Sequence, residues 1–263
     1  MIIKDLDMET QFKNKMVMVT GGSKGIGFAA METFHRLGAM VTTCARNVDD
    51  IKINGDRFFK LAGDIKDPAF IKEFHNSSTE FFGRSVDILI NNNGGPPPGP
   101  SLDFNDKDWL EAINGNLLST IRMTKLVVPE MKNNNWGRII NLTSTTAKEP
   151  AVGLVLSNVT RAAVVAFSKT ISHEIGPSGI TVNSILTGGV ATERFNSLIQ
   201  TQIENSGQSE EEIMERIHSN IPMRYISSPE EFAKFIIFIA SEDASYLTGS
   251  AISIDGGATK SIF

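Results

Sequence analysis

The chain has 263 residues, of which 41% are hydrophobic and 21% charged, and its formal net charge is −5. This length suffices for one large core. The mildly acidic balance, without clusters of lysine and arginine, argues against nucleic-acid and membrane-surface partners. The single cysteine, Cys44, excludes an intrachain disulfide and a cysteine-based metal cluster, and no metal site is expected. No apolar run approaches the roughly 20 residues of a membrane span, and the acidic N-terminus is unlike a signal peptide, so a cytoplasmic protein is predicted.

The first predicted elements are a buried strand and a helix, joined by a glycine-rich turn. The strand covers the apolar run 16–20, and the turn reads Gly-Gly-Ser-Lys-Gly-Ile-Gly from 21 to 27. Gly21 permits a tight turn, Gly25 leaves room for a pyrophosphate, and Gly27 lets the helix pack closely on the strand. Because the first N–H groups of a helix lack intrahelical partners, they favour an anion. This context favours a dinucleotide-binding turn over an ordinary glycine loop.

Strands continue to alternate with helices along the rest of the chain. The further predicted strands are 40–44, 58–61, 86–90, 137–143, 180–186 and 251–255, and the predicted helices are 26–37, 68–82, 106–132, 158–175 and 229–240. Residues 94–100 contain only glycine and proline and are predicted to be irregular. The polar stretch 192–222 is predicted to be mobile. The alternation predicts a single α/β domain, built as a parallel sheet with helices on both faces.

Ligands of such a sheet bind beyond the carboxyl ends of its strands. Besides the glycine turn, this rule selects Asp64 and the segments 44–47, 91–94, 143–146 and 187–192. Several of these residues are small or bear side-chain amides, as the floor of a ligand site requires. The sequence therefore predicts a small-molecule site along this edge of the sheet.

Five stretches, 20–27, 91–94, 137–144, 221–224 and 254–257, carry a family resemblance. Together they resemble the short-chain dehydrogenase/reductase superfamily, in the branch of the β-ketoacyl carrier-protein reductases. The resemblance implies a three-layer doubly wound parallel sheet, the Rossmann fold, and a nicotinamide cofactor. Where the family has Asn-Asn-Ala-Gly, this chain has Asn-Asn-Asn-Gly. The resemblance implies cofactor contacts at Gly21, Ser23, Lys24, Gly25, Ile26, Gly27, Asp64, Ile65, Asn92, Asn93, Gly94, Arg161, Gly188, Val190 and Thr192.

The residues expected near the adenosine ribose favour NADP(H) over NAD(H). NADP carries a 2′-phosphate that attracts cations, whereas NAD enzymes usually place an acidic residue at the end of the second strand. Here Ala45 occupies the acidic position, Arg46 follows it, and Lys24 lies in the glycine turn. An arginine can grip a phosphate with two hydrogen bonds, and a lysine adds a point charge. We therefore predict NADP(H), with solvated surface roles for both cations as the alternative.

The resemblance places the catalytic groups at Asn116, Ser144, Ser157 and Arg161, and here the chain departs from the family pattern. The family has a Tyr-x-x-x-Lys motif about thirteen residues after its serine, where this chain has Ser157 and Arg161. A tyrosine has a pKa of about 10, whereas an alkyl hydroxyl is much less acidic. Arg161 stays charged and is expected to hold the nicotinamide ribose, one of the two tasks of the lysine.

Three functions stay open on these residues. The first is an NADP(H)-dependent oxidoreductase that reduces a carbonyl, for example a 3-oxoacyl compound, or oxidises an alcohol, with atypical proton delivery. The second is an NADP(H)-binding sensor or assembly partner without redox turnover. The third is lyase or isomerase chemistry on the same scaffold, because a fold alone does not fix function.

Other charged residues near the predicted substrate mouth have two interpretations each. Lys148 and Glu149 are candidate replacement proton donors or a solvated loop pair, and Arg194 is a candidate ligand of an acidic substrate group or a surface residue. Residues 190–222 are expected to form a substrate lid. In the family, the helices that match 106–132 and 158–175 pair between subunits, so the resemblance implies a homotetramer or a homodimer.

Overall fold

A computed structural model describes residues 8–262 of the chain. Seven strands form one sheet in the order β3-β2-β1-β4-β5-β6-β7, and every neighbouring pair is parallel. This arrangement confirms the predicted α/β class and the single doubly wound domain. The strands are β1 Met16–Thr20, β2 Met40–Ala45, β3 Phe58–Ala62, β4 Ile88–Asn92, β5 Gly137–Ser144, β6 Ile180–Thr187 and β7 Ala251–Ile254.

The described residues contain nine α-helices and one π-helical segment, which covers Ile113–Leu118 between the fourth and fifth helices. The π-helical segment interrupts the helix predicted at 106–132, and the predicted helix 158–175 begins three residues earlier. The α-helices are α1 Met8–Phe12, α2 Gly25–Arg36, α3 Pro68–Phe82, α4 Asp106–Ala112, α5 Ser119–Asn133, α6 Val155–Ile175, α7 Glu193–Ser206, α8 Glu210–Asn220 and α9 Pro229–Ala240.

Helices cover both faces of the sheet, and the residues of β1 alternate between the two cores. Val17 and Val19 belong to the apolar cluster that includes α2 and α9, whereas Met16 and Met18 belong to the cluster that includes α3 and α5. Alternation follows because successive side chains of a strand point to opposite faces. All four side chains are fully buried, which explains why the strand reads as a continuous apolar run.

Two helices, α7 and α8, occupy most of the polar stretch 192–222, which the sequence predicts to be mobile. Thr192 caps α7 by accepting a hydrogen bond from the Phe195 N–H, and Ser209 with Glu212 forms a reciprocal capping box at the start of α8. Ile199 of α7 and Ile213 of α8 have buried side chains. Their few apolar residues recur at helical spacing, a pattern that the overall polarity of the stretch obscures.

Other local predictions hold in part. Residues 94–100 form no helix or regular strand, as predicted; Gly99 makes only an isolated bridge to Leu154. Ser228 caps α9 by accepting from the Glu231 N–H, yet the Glu231 carboxylate accepts from Tyr225 and Ser227 and does not complete a capping box. Among residues 8–262, none of the helices combines the length and the apolar character that crossing a membrane requires.

Candidate functional site

A cleft of about 1110 Å³ opens at the carboxyl ends of the strands, where ligands of open parallel sheets bind. Of the predicted site residues, all but Gly27 line it, so residues far apart in the chain meet in one cavity. Gly27 is buried behind the cleft, and a Cβ there would clash with the Asn92 side chain. The cleft is lined by Gly21, Ser23, Lys24, Gly25, Ile26, Arg46, Asp64, Ile65, Asn92, Asn93, Gly94, Asn116, Ser144, Ser157, Arg161, Gly188, Val190 and Thr192.

The glycine turn lines the cleft at the end of β1, between the lining residues that follow β2 and β3 and those at the ends of β4 and β5. Gly21 has a φ of +62° and its N–H donates to the Cys44 carbonyl at 2.8 Å, while Asn92 Nδ2 donates to the Gly21 carbonyl at 2.9 Å. Gly25, with a φ of +56°, begins α2. Lys24 is the N-cap residue, and its side chain makes no hydrogen bond to the N–H groups of the first helical turn. The N-terminus of α2 therefore faces the cleft without a side-chain cap, which fits an anionic ligand.

Asn93, which replaces the alanine of the family motif, connects three elements. Its Oδ1 accepts from Thr20 Oγ1 at 3.0 Å, and its Nδ2 donates to Ser119 Oγ at 2.7 Å. The contacts join the end of β1 to the segment after β4 and to the first residue of α5. The larger side chain therefore has a bridging role that an alanine could not supply.

The two predicted ligands of the 2′-phosphate differ in their surroundings. Arg46 follows β2, is exposed, and forms no hydrogen bond or ion pair with any residue from 8 to 262. Lys24 Nζ lies 2.9 Å from Glu193 Oε2, and both side chains are largely exposed. Of the two, only Arg46 has a side chain without a partner among the described residues, whereas Lys24 links the glycine turn to the start of α7.

Ser157 and Arg161, one turn apart on α6, line the cleft beside the ends of β4 and β5. Arg161 Nε donates to Ser157 Oγ at 3.3 Å, Nη1 to the Leu142 carbonyl at 3.0 Å, and Nη2 to the Asn93 carbonyl at 3.3 Å. Burial, and then the positive charge of Arg194, lower the pKa of the Arg161 guanidinium to about 10. Neutral acceptors thus fix the guanidinium across the ends of β4 and β5, and it stays protonated near neutral pH.

Asn116 and Ser144 complete this part of the cleft, which we call the serine end of the cleft. Asn116 lies in the π-helical segment, and its Nδ2 donates to Thr160 Oγ1 at 3.0 Å. Ser144, at the end of β5, accepts from the Thr146 N–H at 3.2 Å. Since Ser144 Oγ acts there as an acceptor, its own hydrogen is available to a ligand.

No tyrosine takes the place of the absent donor. Tyr225 is exposed and donates to Glu231 Oε1 at 2.7 Å, and Tyr246 is fully exposed. Neither lines the cleft, and the chain has no further tyrosine. The serine end therefore holds hydroxyls, an amide and a guanidinium, without a phenol.

Lys148 and Glu149, the candidate replacement donors, lie outside the cleft lining. Lys148 Nζ donates to the Ala251 carbonyl at 2.9 Å, and Glu149 Oε2 accepts from the Lys260 N–H at 2.8 Å. Both side chains are thus engaged with the C-terminal part of the chain. These contacts favour the loop-pair interpretation over a role as proton donors.

Arg194 lines the cleft, although its side chain is partly exposed. Its Nη2 donates to the Pro96 carbonyl at 2.7 Å, which connects α7 to the glycine–proline wall. Sequence reasoning missed this carbonyl partner, as well as Thr160 beside Asn116. The position of Thr160 immediately before Arg161 is the only sequence feature that could have indicated it.

Comparison with known proteins assigns the family. A family model described as enoyl-(acyl carrier protein) reductase matches residues 21–259. The NADPH-dependent reductase BacG of Bacillus subtilis is 34% identical, covering 94% of this chain and 99% of its own. A monensin polyketide synthase putative ketoacyl reductase of Streptomyces virginiae is 32% identical, covering 94% of this chain and 98% of its own.

Solved structures agree with this assignment. The crystal structure of YwfH, an NADPH-dependent reductase involved in bacilysin biosynthesis, has a TM-score of 0.87 and 32% identity. The match covers 95% of this chain and all of YwfH. The overall fold is thus shared with this reductase over almost the whole length of both chains. The chain belongs to the short-chain dehydrogenase/reductase superfamily, in the branch that contains the ketoacyl reductases.

Proposed function

We propose that the protein is an NADP(H)-dependent oxidoreductase that reduces a carbonyl group, or oxidises the corresponding alcohol, with a serine in place of the usual tyrosine. The observation that carries this proposal is a single cleft lined both by the glycine turn and by Ser144, Ser157 and Arg161. BacG and YwfH, which align over nearly the whole chain, are both described as NADPH-dependent reductases. Their descriptions support the same cofactor here.

The glycine turn, Gly94 and Arg46 fit the phosphates of NADP(H). The uncapped N-terminus of α2 suits the pyrophosphate, and Gly25 presents no side chain to obstruct it. Gly94 also lines the cleft, and apart from Gly94 itself and its two chain neighbours no atom of residues 8–262 lies within 4 Å of where its Cβ would stand. Arg46, without a partner among the described residues, would hold the 2′-phosphate. The bound cofactor supplies the hydride.

At the serine end, two hydroxyls would polarise the substrate carbonyl. Ser144 Oγ accepts from the Thr146 N–H, and Ser157 Oγ accepts from Arg161 Nε. Each hydroxyl therefore keeps its own hydrogen for the carbonyl oxygen. Donors fixed in a sheltered cleft stabilise the negative charge that develops on that oxygen during reduction. Asn116, held by Thr160, would orient the substrate or a water beside them.

Proton delivery would run from Arg161 through Ser157. The Ser157 hydroxyl gives its proton to the alkoxide oxygen and takes the Nε proton of Arg161, and solvent then returns a proton to the guanidinium. A hydroxyl that is not resupplied could not do this, because its acidity is too low. Burial and the charge of Arg194 lower the pKa of Arg161 to about 10, close to that of an ordinary tyrosine. The relay would thus resupply the Ser157 hydroxyl with a proton after each transfer to the alkoxide.

The proposal is tested by NADPH consumption with a panel of ketones, aldehydes and 3-oxoacyl thioesters. We expect one alcohol per NADPH oxidised, and a rate that falls by about 10²-fold in Ser144→Ala, because one donor to the developing oxyanion is lost. Ser77→Ala, on α3 and outside the cleft, is the control and should match the wild type.

The same assay separates the alternative functions. Tight NADP(H) binding without oxidation by any carbonyl would favour a sensor or an assembly partner. A product formed without a net change in nicotinamide absorbance would favour a lyase or an isomerase. Both alternatives are tested because Ser157 and Arg161 stand where the family resemblance predicts the catalytic tyrosine and lysine.

We also propose a homodimer or homotetramer, with residues 190–222 as the substrate lid. Leu110 on α4 and Val159 on α6 leave apolar side chains exposed on the helices that pair between subunits in the family. A monomeric mass by light scattering would contradict this assembly.

A cytoplasmic location is also part of the proposal. Cys44, the only cysteine, is free and buried, as is usual for proteins of reducing compartments. Cell fractionation tests this location.

A further inference from the structure

Two guanidinium groups share the serine end of the cleft. Arg161 is held by Ser157 and by carbonyls beyond β4 and within β5, while Arg194 reaches in from the first turn of α7. The Arg194 guanidinium lies against Gly95, with Nη2 at 3.3 Å from the position a Cβ would occupy there. The charge of Arg194 adds to burial in lowering the pKa of Arg161, so the two cations lie within electrostatic reach of one another.

No carboxylate neutralises either cation within residues 8–262. Neither arginine forms an ion pair in this part of the chain. Five acids line the cleft. Glu193 pairs with a lysine of the glycine turn, Glu111 pairs with a lysine after β3, and Asp108 caps α4. The other two, Asp50 and Asp64, follow β2 and β3 rather than β4 and β5. Arg161 and Arg194 therefore have no carboxylate partner among the described residues.

Arg194 also retains hydrogen-bonding capacity. Only its Nη2 has a protein partner, the Pro96 carbonyl, and Nε and Nη1 have none among the described residues. A guanidinium presents its donors as a planar fork that matches both oxygens of a carboxylate. Two like charges close together in a sheltered site favour the binding of an anion.

We propose that Arg194 is the anion-binding residue of the substrate site, and that the substrate is a small oxo acid whose carboxylate binds Arg194. The inference rests on the proposed function, which makes this end of the cleft the place of the carbonyl. It narrows the substrate class, because a neutral thioester or ester would leave both guanidiniums uncompensated. Arg161 contributes its charge beside the carboxylate while it remains bound to Ser157.

Calorimetric binding to the protein saturated with NADP⁺ tests the inference without turnover. Each matched pair replaces a carboxylate by a neutral ester on the same oxo chain: 2-oxohexanoate against its methyl ester, and acetoacetate against methyl acetoacetate. We expect at least one acid to bind the wild type about tenfold or more tightly than its ester, since charge-assisted hydrogen bonds are the strong ones. Arg194→Gln should abolish that preference, and Arg194→Lys should keep part of it, because the charge remains and the fork does not.

Arg36→Gln is the matched control, because Arg36 is an exposed arginine in the last turn of α2, outside the cleft and outside the proposed lid. It should retain the preference of the wild type. Circular dichroism verifies that each variant is folded.

Three outcomes would overturn the inference. Esters that bind as tightly as their acids would remove the anion preference, as would the absence of binding by either acid at millimolar concentration. Weaker NADPH binding by Arg194→Gln, with the acid preference intact, would assign Arg194 to the phosphates of the cofactor instead. The proposed function fails on a different readout, the absence of NADPH binding or of carbonyl reduction, so the two failures are distinguishable.

Discussion

The Nε atom of Arg161 lies 3.3 Å from the Oγ atom of Ser157, one turn earlier on α6. The family resemblance predicts a tyrosine and a lysine at these two positions, whereas here a guanidinium supports an alkyl hydroxyl, which is much less acidic than a phenol. The Ser157 side chain is largely buried and lines the cleft. This pair is the feature of the site that most needs an experimental test.

Ser157→Ala removes the proposed relay and should lower kcat for carbonyl reduction by about 10²–10⁴-fold, the usual effect of losing a placed general acid. The dissociation constant of NADPH should change little, because Arg161 keeps its bonds to the Leu142 and Asn93 carbonyls. Steady-state kinetics and a fluorescence titration measure the two quantities. Thr170→Ala, on the exposed side of the same helix, should leave both unchanged. A kcat unaffected by Ser157→Ala would exclude the relay.

The pH dependence of reduction should report Arg161. Burial and the charge of Arg194 lower its pKa to about 10, and the proposed relay requires the protonated guanidinium. The rate should therefore hold through neutral pH and decline as the pH rises toward 10, where the donor form is lost. A kcat–pH profile measures this. A decline centred near pH 7, with no further loss at higher pH, would assign proton delivery to a different group.

Arg46→Gln should convert a preference for NADPH into near indifference between NADPH and NADH. Arg46 is exposed and without a partner in the described part of the chain, so its main loss is the contact with a 2′-phosphate. We expect the NADPH dissociation constant to rise about tenfold or more, whereas that of NADH should stay within about twofold. Lys52→Ala, an exposed residue outside the cleft, is the control. Parallel titrations of both cofactors give the answer, and equal wild-type dissociation constants for NADPH and NADH would refute the NADP(H) assignment.

Glu193→Gln should strengthen NADPH binding. Glu193 Oε2 lies 2.9 Å from Lys24 Nζ, so the carboxylate competes with the cofactor for a predicted phosphate ligand. Because exposed ion pairs contribute only about 0–1 kcal/mol, the dissociation constant should fall by about twofold to fivefold, with thermal stability nearly unchanged. Higher salt should shrink the difference.

Glu215→Gln, which removes an equal charge from α8 outside the cleft, should have a smaller effect. If both substitutions strengthen binding equally, Lys24 has no specific role and only the overall charge matters.

The fold could be predicted because each signal was local. The apolar run before Gly21, the caps at Asp67 and Ser228, and the alternation of elements each follow from a few adjacent residues. The rule that ligands bind at the carboxyl ends of strands then selected the residues after the strands. The family resemblance added Asn116, Ser157 and Arg161, and 18 of the 19 candidate residues line one cleft.

Features that depend on distant pairs could not be predicted. The ion pair between Lys24 and Glu193 joins residues 169 positions apart, and the contact between Arg194 and Pro96 joins residues 98 apart. Likewise, the π-helical segment that holds Asn116 arises from packing and has no sequence pattern of its own. These contacts determine which of the residues predicted to bind a ligand already have a protein partner, as Lys24 and Arg194 do.

Hydride transfer from NADPH that carries deuterium in place of both hydrogens of the nicotinamide C4 position tests the central claim most directly. The protein is loaded with the labelled cofactor and mixed with the carbonyl panel, and the products are analysed by mass spectrometry. We predict an alcohol that carries one deuterium, formed at least about 10²-fold more slowly by Ser157→Ala. NADPH that binds in the cleft but passes no deuterium to any carbonyl would contradict the account.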